Sequence, residues 1–301
     1  MTPDVSDIAG IYPMLYAFFG ADGGLDRAAL ALEVEAVVRH GAHGVAALGL
    51  AGETGKLSLT ERRQFLDWVA EALAGRLPPA VTISEPTVEG QLAFARAAAE
   101  NGARWLVLQP PPVSGTGEAE LVRFFGRVAE GATLPVAIQN APQFLGVGLS
   151  NQALKTLNRN HPNVALLKAE GPPLTLRRLI EDTDGAFRVF NGRAGVELTE
   201  SLRAGCVGLI PGAESFDEQT AIFELMRKGA EDEAEARFRA LLPLLAFLME
   251  TIDHLLCYGK RVAARRLGLA EVHDRTPALA PHPYGLEVAE RLARGLGPLT
   301  A

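Results

Sequence analysis

Asn101-Gly102-Ala103-Arg104-Trp105-Leu106 closes one element and opens the next. Its glycine stands where a helix ends in the left-handed conformation, which a residue without a Cβ adopts freely. The small residue and apolar run that follow read as the start of a buried strand. The same joint recurs at His40-Gly41-Ala42-His43-Gly44-Val45 and at Ala204-Gly205-Cys206-Val207-Gly208-Leu209. A joint repeated from the front of the chain to residue 210 is the signature of successive βα units. Between the joints, short apolar runs predict strands at 80–84, 106–109, 136–140, 164–168 and 187–191, after a first strand within 8–19 and a second at 44–49, and the last joint opens an eighth that ends at Ile210-Pro211-Gly212. Amphipathic stretches predict helices from Asp26 to Gly41 and at 59–74, 87–101, 118–130, 151–160, 174–181, 196–204 and 216–228. Eight strands, each followed by a helix, favour an α/β fold of the (β/α)8 TIM-barrel type. No Gly-x-Gly-x-x-Gly opens the first βα turn, which weakens a dinucleotide-binding sheet.

After residue 230 the strand pattern stops. Helices are expected at 231–254, 254–267 and 287–295, with a proline-rich connector at 276–283. The expected organisation is a barrel domain over 1–230 and a C-terminal helical appendix over 231–301.

With 301 residues, 48% of them hydrophobic, the chain can bury a sizeable core. A net charge of −7 with no Lys/Arg-rich run argues against nucleic acid or an anionic membrane as partner. Cys206 and Cys257 fit a reducing compartment and inert buried thiols. The first residues lack a basic and an apolar leader region, so a cytoplasmic protein without a signal peptide is expected. The six histidines show no metal-ligand spacing, and no metal is expected.

In a barrel of this kind the chemistry lies at the C-terminal ends of the strands. Strand six reads Val164-Ala165-Leu166-Leu167-Lys168-Ala169-Glu170-Gly171. Alternation places Lys168 and Glu170 on one side and Ala169 on the other. Burying an ammonium without a partner is costly, and the chain has only five lysines. The other four, Lys56, Lys155, Lys228 and Lys260, are expected in loops or on amphipathic helices. An amine and a carboxyl aimed into one pocket suit a Schiff-base centre; a structural ion pair is the plainer alternative. Strand two ends in Gly49-Leu50-Ala51-Gly52-Glu53, a loop whose backbone N–H groups can hold a carboxylate. Together the two features suggest a small 2-oxo acid substrate.

Gly49-x-x-Gly52-Glu53, Asn140-x-Pro142 and Lys168, in that order and spacing, resemble the dihydrodipicolinate synthase / N-acetylneuraminate lyase family of class I lyases. Gly10-Ile11-Tyr12-Pro13, Asp22-Gly23 and the helical tail fit as well, so the resemblance covers nearly the whole chain. It implies a homotetramer or dimer and catalysis through a covalent Schiff base on Lys168, with no other cofactor. It also implies substrate contacts at Gly49, Leu50, Ala51, Gly52 and Asn140.

The departures point to one branch. Most members carry hydroxyls where this chain has Leu50 and Ala51, and a proton-relaying tyrosine where it has Gln139. Glu170 stands where most have a small residue. Gln139 with Lys168-x-Glu170 is similar to the 2-keto-3-deoxy-L-arabonate dehydratase branch, in which a glutamate replaces the tyrosine as acid/base. The expectation is a dehydratase of a 2-keto-3-deoxy sugar acid, with Lys168, Glu170 and Gln139 catalytic and Asn191, Gly192 and Arg193 near the substrate tail. The alternatives are a retro-aldol lyase releasing pyruvate and a non-catalytic 2-oxo-acid-binding paralogue. Glu53 is expected to brace its own loop, and Arg261, Arg265 and Arg266 to form a solvated or interface face.

Overall fold

Apolar runs too short for helices pair side by side into eight parallel strands. They are β1 (Gly10–Ile11), β2 (Val45–Ala47), β3 (Pro79–Ile83), β4 (Trp105–Leu108), β5 (Val136–Asn140), β6 (Val164–Ala169), β7 (Arg188–Asn191) and β8 (Gly208–Leu209). The computed structural model describes residues 3–112 and 116–300. The strand order is β1-β8-β7-β6-β5-β4-β3-β2. Parallel bridges from Met14 to Ala46 and to Gly212 join the first strand region to both of its neighbours and close the ring. This is the expected (β/α)8 barrel.

Helices α1 (Arg27–Arg39), α2 (Leu59–Leu73), α3 (Val88–Glu100), α4 (Glu118–Gly131), α5 (Pro142–Leu145), α6 (Asn151–Asn160), α7 (Pro173–Asp182), α8 (Leu198–Arg203) and α9 (Phe216–Arg227) surround it. Their ends follow the sequence. Asp26 accepts from Ala29 N–H to cap α1, and Ser58 forms a reciprocal capping box with Glu61 at α2. Gly41, Gly102 and Gly205 take φ of +72°, +78° and +104° at the three joints. The one-turn α5 was not expected; Pro142, pre-set at its start, allows it.

Two apolar regions hold the barrel. Leu167, Ala169, Val189 and their equivalents face the helices. Tyr12, Trp105, Leu166 and Phe190 fill the interior floor. There Trp105 stacks on Phe190 at 5.2 Å and Tyr12 meets both edge-on, each pair adding about 0.5–1.5 kcal/mol beyond area burial. The aromatic plug is the base on which the polar site rests.

Glu231 opens α10 (Glu231–Leu248), at the expected start of the appendix. The helix stops six residues short of the expected 254. Thr251 caps a new helical stretch, Ile252–Arg266, through its side chain and His254 N–H, and the two axes diverge by 106°. That stretch contains a π-turn at Leu255–Gly259. The last helix runs Pro283–Leu292, earlier than the expected 287–295. Leu244, Leu245 and Ala263 share one apolar cluster with the barrel's outer layer. Among the described residues no single helix is long and apolar enough to cross a membrane.

Two expectations about cations fail. Lys260 is 1% exposed, not on an amphipathic outer face. Its ammonium pairs with the carboxylate of Glu53, which Lys56 also reaches at 2.6 Å. Glu53 therefore braces its loop and also ties it to the appendix. Arg266 is likewise buried, donating to the Glu214 carbonyl at 2.8 Å and bidentately to Asp217. In both cases a carboxylate distant in sequence compensates the buried charge. Arg261 is partly covered and pairs with Asp274 at 2.5 Å.

Candidate active site

A bulge decides which residues of β6 face inward. Val136 pairs with Val164 but Ala137 pairs with Leu166, so Ala165 is the extra residue. Leu166 then joins the interior floor, and Lys168 and Glu170 follow it at spacing two on the same side. Lys168 is 4% and Glu170 7% exposed. Glu170 Oε1 lies 3.4 Å from Lys168 Nζ.

Gln139 is the strand neighbour of Lys168. Its Nε2 donates to Glu170 Oε1 at 2.8 Å, while its Oε1 accepts from Gln109 Nε2 at 2.9 Å. Gln91 Nε2 in turn donates to the carbonyls of Gln109 and Glu85, both at 3.0 Å. This chain runs from β4 across β5 to β6 and orients the Gln139 amide with its donor end toward the carboxylate. Gln143 Nε2 holds the Glu170 carbonyl at 2.5 Å. Oε2 of Glu170 has no hydrogen bond among the described residues.

Gly192 packs directly on this carboxyl. A Cβ there would lie 2.8 Å from Glu170 Cδ and 2.9 Å from Oε2. Only a glycine leaves Glu170 in position. Arg193 and Ala194, which follow, are held at φ of +53° and +52°, a strained backbone for side-chain-bearing residues.

The loop after β2 presents the expected N–H groups. Those of Leu50 and Ala51 have no partner among the described residues, whereas the Gly49 N–H already points at Met14 Sδ, 3.2 Å away. Gly49 also needs its missing side chain, because a Cβ would meet Met14 Cε at 2.3 Å. Gly52 closes the turn by donating to the Gly49 carbonyl.

The two expected asparagines are engaged to different degrees, Asn191 fully and Asn140 in part. Asn191 accepts from Gly171 and Gly192 N–H and donates to the Gly171 carbonyl and Ser201 Oγ. All four of its hydrogen-bonding positions are occupied, so it clamps the β6 and β7 loops and has none left for a substrate tail. Asn140 exchanges two hydrogen bonds with the Leu149 backbone and shapes the loop between them. Arg193 lines the site, with its guanidinium paired to Glu197 at 2.9 Å.

The cavity over Lys168 is about 20 Å³, room for a single water. Lys168, Glu170, Leu50, Ala51 and Arg193 line it from the barrel, and Met249, Ile252 and Leu255 cover it from the appendix. Sequence reading missed this roof because it placed 249–252 inside a continuous helix; Thr251 as a cap was the available signal. It also missed Gln109, although Gln109 ends β4 as Gln139 nears the end of β5.

Burial sets the state of the groups behind the site. Glu33, wholly buried with Oε1 accepting from Tyr16 N–H and Oε2 unpaired, has its pKa pushed well above the usual carboxylate range by desolvation. Tyr16 donates to Glu214 Oε2 at 2.7 Å, and desolvation raises both of their pKa values. The Cys206 thiol is pushed up to about 12 by burial, which makes it unreactive.

The dihydrodipicolinate synthetase family model matches residues 7–283. An L-2-keto-3-deoxyarabonate dehydratase from Azospirillum brasilense is 29% identical over 296 residues, covering 96% of this chain and 95% of that protein. YagE from Escherichia coli (strain K12), named as a candidate 2-dehydro-3-deoxy-D-gluconate aldolase, is 27% identical over 223 residues, 73% of this chain and 74% of its own. A solved structure described as a candidate dihydrodipicolinate synthetase from Pseudomonas aeruginosa superposes with a TM-score of 0.88 at 26% identity, covering 95% of this chain and 99% of its own.

Proposed function

The chain belongs to the dihydrodipicolinate synthetase family, a family of lyases, and on that premise we propose that it is a Schiff-base-forming dehydratase of a 2-keto-3-deoxy sugar acid. The observation that carries the reading is the buried pair at the end of β6, with Glu170 Oε1 3.4 Å from Lys168 Nζ and one carboxylate oxygen left free. The similarity to the arabonate-type dehydratase over nearly the full length of both chains supports it.

In this mechanism Leu50 and Ala51 N–H hold the substrate carboxylate, and Lys168 attacks the C2 ketone. The imine forms with loss of one water and acidifies the C3 proton, which passes to Glu170 Oε2. The enamine electrons then expel the C4 hydroxyl, and Glu170 returns its proton so that water leaves. Hydrolysis of the imine consumes one water and restores the amine, so the net reaction is loss of a single water. Gln139 keeps its donor on Oε1 throughout and so directs the proton traffic through Oε2. No metal or organic cofactor enters, and activity should survive exhaustive dialysis against a chelator.

A retro-aldol reading shares the imine and breaks the C3–C4 bond, releasing pyruvate; the relative named as an aldolase favours keeping it. The test uses 2-keto-3-deoxy sugar acids with borohydride trapping, intact mass and a coupled lactate dehydrogenase assay. The dehydratase reading expects an adduct on Lys168, loss of water and no pyruvate. In Glu170→Gln the adduct should persist while dehydration falls by about 10²–10⁴-fold. Absence of an adduct on Lys168 with every such acid would overturn the reading. A homo-oligomer, dimer or tetramer, is the assembly this reading expects, and light scattering measures it.

A further inference from the structure

Two larger cavities adjoin the 20 Å³ space over Lys168, and the carbons of a sugar acid beyond C4 have to enter one of them. The first, about 450 Å³, shares Glu170 and Arg193 with that space. Ala169 and Leu179, which face the helical layer, also line it, so it lies behind β6. Asn140, Gln143 and Asn151 there each already hold a protein partner, and Thr175 is exposed to water. Among the described residues, none of its side-chain polar atoms is both buried and unpaired.

The second cavity, about 320 Å³, differs in this respect. It shares Leu50 with the space over Lys168. Gln109 on its wall is joined to Glu170 by two hydrogen bonds through Gln139, so it begins where a chain leaving Glu170 passes along the mouth of the barrel. A water takes up about 30 Å³, so two further hydroxylated carbons have ample room. Thr54, which lines this cavity, is 6% exposed, and its Oγ1 has no partner among the described residues. Arg62 Nε, from the same wall, is buried and unpaired as well. Buried polar atoms are rarely left unmet, and these two call for a partner the free protein does not supply. The charge of Arg62 is already answered by Glu85 at 3.1 Å, and its Nη1 donates to Ser84 Oγ at 2.8 Å. The donor that remains therefore suits a neutral oxygen, such as a hydroxyl.

We infer that this cleft, walled by the loops after β2, β3 and β4, is the subsite for the substrate tail, and that Thr54 and Arg62 select hydroxyls beyond C4. The inference rests on the imine reading for Lys168 and sharpens it, because it assigns the polyol end of the sugar acid to named side chains. No step of the reaction changes: the C3–H and C4–O bonds break as before, and one water leaves. Thr54 Oγ1 can donate to or accept from a tail hydroxyl, and Arg62 Nε can donate to one.

The test compares 4,5,6-trihydroxy-2-oxohexanoate with 4-hydroxy-2-oxohexanoate, equal in length and differing only in the two tail hydroxyls. Two readouts are taken, each as the ratio between the acids: the concentration giving half-maximal borohydride trapping on Lys168, and kcat/KM for loss of water. We expect the triol to be favoured by about 10- to 100-fold. In Thr54→Val the preference should fall by about 3- to 10-fold, and Thr54→Ser, which keeps a hydroxyl, should retain most of it. Arg62→Lys, which keeps a charge for Glu85 but loses the Nε donor, makes the same comparison independently and should also lower the preference. Comparing ratios between proteins cancels the acids' own difference in reactivity. Because Thr54 Oγ1 has no protein partner, a merely structural role for Thr54 leaves the ratio unmoved. A ratio unchanged in Thr54→Val and in Arg62→Lys, with adducts from both acids, overturns the tail subsite and leaves the imine reading standing. No adduct from either acid overturns both.

Discussion

Gly192→Ala tests the placement of Glu170 while leaving both reacting groups in the chain. The added Cβ would sit 2.8 Å from Glu170 Cδ, 2.9 Å from Cγ and 2.9 Å from Oε2. Carbon atoms settle at about 3.5–4.0 Å, so a carboxyl at 2.8 Å must retreat by about 1 Å. Such a retreat takes Oε1 out of its 2.8 Å bond with Gln139 and moves Oε2 off the path of the C3 proton. A displacement of that size costs about 10²-fold in rate where proton transfer depends on position. Lys168 is anchored on the strand, and the atoms nearest the new methyl all belong to Glu170, so imine formation should continue. The assay is paired: borohydride trapping on Lys168 with pyruvate, and kcat for water loss from the preferred 2-oxo acid. Trapping close to that of the unsubstituted protein with kcat down by about two orders of magnitude is the expected result. A kcat within threefold of the unsubstituted protein would refute the claim that Glu170 must stay where Gly192 allows it.

Gln109→Leu removes the donor that orients Gln139, leaving a buried amide oxygen unpaired at a cost of about 1–3 kcal/mol; kcat should fall more than KM rises, with denaturant unfolding reporting the stability loss. Lys260→Met leaves the buried Glu53 carboxylate with Lys56 as its remaining cation. Unfolding free energy should drop by about 3 kcal/mol, and adding Glu53→Gln should recover part of it. Glu33 has a folded-state pKa above its unfolded value of about 4.5. Its contribution to stability is therefore fully present below pH 4.5 and is lost as pH rises through the raised value. Glu33→Gln, which keeps the acceptor for Tyr16 N–H, should flatten that decline in urea titrations taken across pH.

Some of this site is visible in the linear chain because its cause is local. A glycine at a helix end, an apolar run and a turn are properties of a few neighbouring residues, so the βα repeat and seven of the eight strand positions follow from them. β1 is the exception: its apolar run extends to Phe19, but the regular ladder is Gly10–Ile11, interrupted at Pro13, which lacks a donor, and taken up again only by single bridges at Met14. Strand alternation likewise puts Lys168 and Glu170 on one face without reference to anything distant. Polar saturation is not local. Asn191 and Asn140 are well placed by sequence order, yet their atoms are bonded to backbone up to twenty residues away.

What the sequence alone determined is the barrel, the strand that carries the amine, and the carboxyl two residues beyond it, since period-two alternation and helix-end glycines act at short range. What only the tertiary structure decided is how those groups are held and enclosed. Lys260 reads as one more helix cation until Glu53, 207 positions earlier, is brought against it. Gln109 and Gly192 matter because they meet Gln139 and Glu170 from neighbouring strands. Met249, Ile252 and Leu255 become the roof over Lys168 because the chain breaks after Leu248 and turns back over the barrel. Each is a through-space contact set by packing.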